Sequence, residues 1–219
     1  KYMTAREEDI LTSSNLIQKG VVIDELLKAL IQTKVNYTDL TIGDKNAVMV
    51  ASRVFGYGKD YKANVSCPSC GETENDVDFD LTTLEHKQID EKFYKNKTEY
   101  EFKLPVSKRI LTYKFLTQKD EAVATKDIAR IAKVSKGKSA EVTTRLRHQI
   151  VAIDGDSDTE TIVNFINNEF FAADSRAFRT EYQERMPDVD FTVGYFCPAC
   201  NTNSDLTLPI STNFFWPSR

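Results

Sequence analysis

Histidine is nearly missing from this sequence: His86 and His148 are the only two in 219 residues. They are not spaced as a ligand pair, so the common histidine-based catalytic and metal sites lack their raw material. Long apolar runs are missing too. None approaches the ~20 residues of a membrane helix, and no signal peptide is legible at the start. Basic residues are outnumbered, with 29 Lys+Arg against 33 Asp+Glu and a net charge of −4. That argues against a general nucleic-acid binder, which presents a basic face. No nucleophile elbow, phosphate loop or carboxylate constellation is present, so no enzyme is read here. Asp154-Gly155-Asp156-Ser157-Asp158 opens like a calcium loop. Thr159 and Phe165 then stand where an EF-hand needs glycine and glutamate. A turn followed by a helix N-cap is the expectation at that point.

Cysteine is scarce but organised. Its four copies form two knuckles, Cys67-Pro68-Ser69-Cys70-Gly71 and Cys197-Pro198-Ala199-Cys200-Asn201. Each offers two thiolates on one turn, half of a tetrahedral site. Proline after the first cysteine fixes φ. Gly71 and Asn201 are residue types that accept a left-handed backbone. If the knuckles meet, Cys67, Cys70, Cys197 and Cys200 hold one structural zinc ion and clasp the early chain to its end. The alternatives are a pair of disulfides, an iron–sulfur cluster or free thiols. Four cysteines leave no open position for a catalytic metal. Paired knuckles with no other cysteine suit a reducing compartment.

Hydrophobic residues make up 41% of the chain, with 13 Phe, 9 Tyr and one Trp, enough for a sizeable core. Thr4-Ala5-Arg6-Glu7 reads as a capping box opening a helix that ends by Gly20. A second helix is expected over Asp24–Gln32. A third starts at Asp44 as N-cap, with Ala47, Val48, Ala51, Val54 and Phe55 as its apolar stripe. Tyr100, Phe102 and Leu104, then Leu111, Tyr113 and Phe115, alternate across a Pro105–Arg109 loop, predicting a β-hairpin. A helix follows from about Thr117 to Val134 with Ala122, Val123, Ile128 and Ile131 inward. After a Ser135–Ser139 turn, another carries Val142, Leu146, Ile150 and Val151. Further helices are predicted at Glu160–Asn168 and Asp174–Arg185. His148 is expected on a solvated face.

The reading is an α+β chain: helical subdomains, a β-hairpin and a zinc-ribbon-like clasp. It divides at 1–83 (first helical half and knuckle one), 84–116 (central hairpin) and 117–219 (second half, knuckle two and an aromatic tail), interlocked as one unit. One shift carries Asp44 onto Asp174, Tyr61 onto Phe191, Val65 onto Tyr195 and Cys67 onto Cys197. Tyr2-Met3-Thr4 likewise resembles Phe115-Leu116-Thr117. An internal duplication with pseudo-twofold symmetry is therefore expected. Phe214, Phe215 and Trp216 are too apolar for a free tail; they pack on this chain's own core or anchor a partner.

Met3-Thr4-Ala5-Arg6-Glu7-Glu8-Asp9-Ile10-Leu11-Thr12-Ser13, Gly43-Asp44-Lys45-Asn46-Ala47, Gly56-Tyr57-Gly58, the first knuckle and Phe214-Phe215-Trp216-Pro217 together resemble the baseplate hub assembly family of T4-like contractile-tailed phages. The resemblance implies a structural or assembly component of the tail baseplate. Such a protein works by binding other hub or tail proteins, without catalysis, nucleic acid or a membrane span. It implies a place in the virion after assembly in the host bacterial cytoplasm, and no particular oligomeric state. It also implies a further stretch before Lys1. The alternative is a zinc-ribbon nucleic-acid-binding module, against which the acidic net charge weighs.

Overall fold

The computed structural model describes residues 1–95, 97–134, 140–210 and 214–216; the expected Ser135–Ser139 turn lies outside these residues. In chain order, helices α1 (Ala5–Leu11), α2 (Ser14–Gln18), α3 (Val22–Leu30) and α4 (Ile42–Tyr57) precede strands β1 (Asp60–Ser66), β2 (Thr73–Asp80) and β3 (Glu85–His86). Then come α5 (Glu91–Tyr94), β4 (Tyr100–Lys103), β5 (Ile110–Tyr113), α6 (Gln118–Val134), α7 (Glu141–Gln149) and β6 (Ile150–Ile153). α8 (Thr159–Asn164), α9 (Ala172–Arg185), β7 (Val189–Asp190), β8 (Thr192–Cys197) and β9 (Thr202–Thr207) complete it. The chain is α+β, with small antiparallel sheets. Its contacts divide it into two compact units. One holds Lys1–Val35, Gly43–Lys87 and Asp188–Arg219, the other Asn36–Ile42 and Gln88–Pro187.

In the first unit the capping box forms at Thr4. Glu7 accepts from the Thr4 backbone N–H at 2.9 Å and from its hydroxyl at 2.6 Å, and pairs with Lys1 Nζ at 2.7 Å. The first helix is broken into α1 and α2, ending before Gly20 at φ +68°. α3 buries Leu26, Leu27 and Leu30 on one stripe. α4 corrects the sequence reading twice. It starts at Ile42, so Asp44 lies inside its first turn instead of capping it. Its expected stripe is largely outward: Ala47, Ala51 and Phe55 are exposed, and the Tyr2 ring rests against Phe55. Gly43, Ser52 and Arg53 face in. Arg53 satisfies the helix end, donating to the Gly58 and Asp60 carbonyls at 2.6 and 2.8 Å. β1 alternates strictly, burying Tyr61, Ala63 and Val65. The aromatic tail belongs to this core. Phe214 and Phe215 are 1% and 2% exposed, with Phe214 edge-on to Tyr61, while Trp216 is half-buried beside them.

In the second unit, β4 and β5 form the predicted hairpin with Phe102 opposite Leu111 and Tyr100 opposite Tyr113. β6 joins as a third strand. Here the sequence reading of one helix through Ile150 and Val151 is corrected: α7 stops at Gln149, and Ile150–Ile153 pairs with β5 with Ile150, Ala152 and Ile153 buried. On α6 Ala124 is buried and the expected Ile128 and Ile131 are half-buried, while Ala122 and Val123 are exposed. Tyr113, Phe178 and Tyr182 centre an aromatic cluster. Asp174 is fully buried and accepts from the Val106 and Ser107 N–H groups at 2.7 and 2.9 Å, pinning the hairpin loop. The Asp154–Asp158 segment is a turn, with Asp154 and Gly155 at positive φ and Asp158 capping α8 through Thr161 N–H. α8 continues as one π-helical turn over Phe165–Glu169.

Candidate metal centre

Both knuckles sit in the first unit, each at the tip of a hairpin: β1–β2 and β8–β9. The turn is built the same way twice. Gly71 N–H donates to the Cys67 carbonyl and Asn201 N–H to the Cys197 carbonyl, both at 2.9 Å. Gly71 and Asn201 stand at φ +77° and +54°, the left-handed conformation their residue types tolerate. The pairing beyond the turn matches as well. Ser66 faces Thr73 and Val65 faces Glu74 in the first hairpin; Phe196 faces Asn203 and Tyr195 faces Ser204 in the second. These pairs coincide under the shift that carries Cys67 onto Cys197.

The tips meet. All four Sγ atoms lie within 4.8 Å of one another, with Cys67–Cys200 and Cys70–Cys197 both at 3.8 Å. A disulfide needs ~2.05 Å. A tetrahedral ion with Zn–S near ~2.3 Å needs sulfurs about 3.8 Å apart along each edge, so the donor set fits one four-coordinate metal ion. Cys67 and Cys197 are buried, Cys200 is half-buried and Cys70 exposed. Backbone amides already favour thiolate character. The Cys70 and Ser69 N–H groups pull the Cys67 thiol down to about 6. The Glu72 N–H also favours a Cys70 thiolate, but burial and the three neighbouring sulfurs outweigh it and push that group up to about 12. Metal ligation needs the thiolate forms, and a divalent cation stabilises them.

Two contacts brace the hairpins against each other: Tyr195 OH donates to Glu74 Oε2 at 2.7 Å, and the Ser69 and Ser204 hydroxyls meet at 3.4 Å. Sequence reasoning missed them, since neither has a signal beyond its offset from the knuckle. The other singled-out residues lie elsewhere. His148 is half-buried on α7 against Asp127 in the second unit, not on a solvated face. The tail residues Phe214 and Phe215 are buried in the core of the first unit, the same core that holds Cys67 and Cys197.

A family model described as T4 bacteriophage base plate protein matches residues 1–216. The chain belongs to that family. No curated protein and no solved structure matches it. Membership in the base plate family carries a structural role in the phage base plate and a location in the virion tail. Among the described residues no helix is long and apolar enough to cross a membrane.

Proposed function

We propose that this base plate protein is a structural or assembly component of the baseplate hub. It acts by binding neighbouring tail proteins, not by catalysis, and is assembled in the host cytoplasm. The observation that carries the reading is the family match along residues 1–216. The test is mass spectrometry of purified tails beside assembly intermediates. Presence in hub intermediates supports it; recovery only with non-hub parts of the tail overturns it.

In this reading Cys67, Cys70, Cys197 and Cys200 hold one zinc ion, supported by the 3.8 Å sulfur spacing. Four thiolates fill the shell, so the ion supplies folding energy and no chemistry. Elemental analysis of the full chain should return one zinc per chain. Iron, or no metal, would overturn the assignment.

The chain also reads as a duplication, its halves divided near 1–83 and 117–219 by the 84–116 hairpin. The matched knuckle pairings support it, as does a second correspondence. Lys1, Thr4 and Glu7 recur as Lys114, Thr117 and Asp120. There Asp120 accepts from the Thr117 N–H and hydroxyl at 3.1 and 3.0 Å and pairs with Lys114 at 2.9 Å. Superposing the two caps and the two knuckles separately tests it; unlike backbone paths would reject it. The tail makes a partner contact through Trp216, which is half-buried where Phe214 and Phe215 are fully buried. Trp216→Ala should spare the melting temperature and block assembly.

A further inference from the structure

The four sulfurs differ in access as well as in hairpin. Cys70 is exposed and Cys200 half-buried, while Cys67 and Cys197 are buried in the core of the first unit. The two pairs at 3.8 Å both cross between the hairpins, Cys70 with Cys197 and Cys200 with Cys67. Each pair joins an accessible sulfur to a shielded one. An oxidant reaches the first, and the second is near enough to displace the oxygen it leaves behind. Closing 3.8 Å to the ~2.05 Å of a disulfide needs a movement of about 1.8 Å, shared between two side chains. The hairpins keep their own polar contacts during that step, Tyr195 with Glu74 and Ser69 with Ser204.

We propose that the four-sulfur site is also an oxidative modification site, where hydrogen peroxide converts the thiolates into two disulfides across the hairpins, Cys70–Cys197 first and Cys67–Cys200 second. Peroxide takes two electrons from the Cys70 sulfur. An S–O bond forms as the O–O bond breaks, leaving a sulfenic acid and, with one proton, water. The Cys197 thiolate then attacks that sulfur. The S–S bond forms, the S–O bond breaks, and the departing hydroxide takes a second proton. Cys200 and Cys67 repeat the sequence with a second peroxide, and a metal ion held by the thiolates is released. The paired cysteines are 127 and 133 residues apart in the chain, so the disulfides take over the clasp and keep the late hairpin tied to the early one. Bonds within a knuckle would close only its own turn. The timing rests on the reading that the tail is assembled in the host cytoplasm: thiols persist in that compartment and disulfides outside it. The sulfur chemistry itself does not rest on that reading.

The test is stepwise oxidation of the full chain with hydrogen peroxide, then alkylation of the remaining thiols and mass-spectrometric mapping without reduction. Cys70–Cys197 should form first. At about two equivalents of peroxide both crossing disulfides should be present, with any bound metal released to a chromogenic chelator. Residues 188–210 should stay protected from protease, and dithiothreitol should restore four thiols. Disulfides within a knuckle or between chains, sulfinate at Cys70 in place of a disulfide, or loss of protection at 188–210 would overturn the proposal. The pairing is read on the purified chain whether or not it carries zinc, so a failed disulfide assignment is told apart from a failed zinc assignment.

Discussion

The two knuckle hairpins are alike where the cysteines constrain them and unlike elsewhere. Next to the turn they share backbone conformation, hydrogen bonding and pairing. Away from it, β1 buries Tyr61, Ala63 and Val65, whereas β8 buries Tyr195 and Cys197 and leaves Phe196 54% exposed. The first hairpin also carries a register shift between Ala63 and Val65. The turn is set by local chemistry that tolerates one answer. The strand faces are set by what covers them, and the covers differ: Phe214 lies on Tyr61 in the first hairpin.

The largest effect should come from breaking the shared element. Structural zinc sites are worth of the order of 10 kcal/mol at neutral pH. Cys197→Ser and Cys67→Ser should each reduce bound metal from one per chain to none. Each should also expose residues 188–210 to protease while the helices of the second unit persist. If one variant keeps its metal and the other does not, the knuckles do not share an ion.

Next in size is the cover. Phe214→Ala empties a buried site against Tyr61 and should cost about 3–5 kcal/mol in chemical denaturation. A cost below about 1 kcal/mol would mean the tail is not part of the core.

The aspartates at equivalent helix positions should diverge. Asp174→Asn weakens two charge-assisted bonds from a buried carboxylate to loop amides and should cost about 2 kcal/mol. Asp44→Asn, at an exposed site, should stay within about 0.5 kcal/mol. Equal costs would erase the distinction between the two positions.

The caps should respond to acid in the same sense. Lys1, then Thr4, hold the Glu7 carboxyl down to about 2. Burial opposes the same shift in Asp120, but Lys114 and Thr117 still leave it lowered. A depressed carboxylate stabilises the fold above its unfolded pKa, and that stability is lost as pH falls through the folded value. The advantage of wild type over Glu7→Gln should therefore be full above pH 4.5 and fade toward pH 2. An advantage that grew on acidification would contradict the pairing.

The smallest effect sharpens the knuckle comparison. Gly71→Ala should cost about 1 kcal/mol at its left-handed position, and Asn201→Gly should be close to neutral. A large loss for Asn201→Gly would give that side chain a role of its own.

The knuckles were legible because their turn needs particular residue types at fixed spacing. The β4–β5 hairpin was legible because alternation survives in Tyr100–Lys103 and Ile110–Tyr113. What stayed hidden depended on distant partners. Ile150–Ile153 continues a helical pattern in sequence and becomes a strand because β5 is there to pair with it. The α4 stripe looked like a core face, yet of its residues only Val54 packs on the core, beside Met49 and Val50, and the fully buried residues are Gly43, Ser52 and Arg53; the arginine's burial depends on carbonyls from Gly58 and Asp60. Asp174 read only as the start of a helix, and its role came from Val106 and Ser107, far back in the chain.

The first unit is discontinuous, opened by residues near the start and closed by Asp188–Arg219. A ribosome therefore releases Cys67 and Cys70 long before Cys197 and Cys200 exist, and the nascent chain waits with half a coordination shell. The intervening Gln88–Pro187 stretch, with its own core, has what it needs to fold in that interval. Prematurely terminated products lack the second pair of sulfurs altogether. A metal ion held by all four sulfurs would thus mark a polypeptide synthesised through its second knuckle.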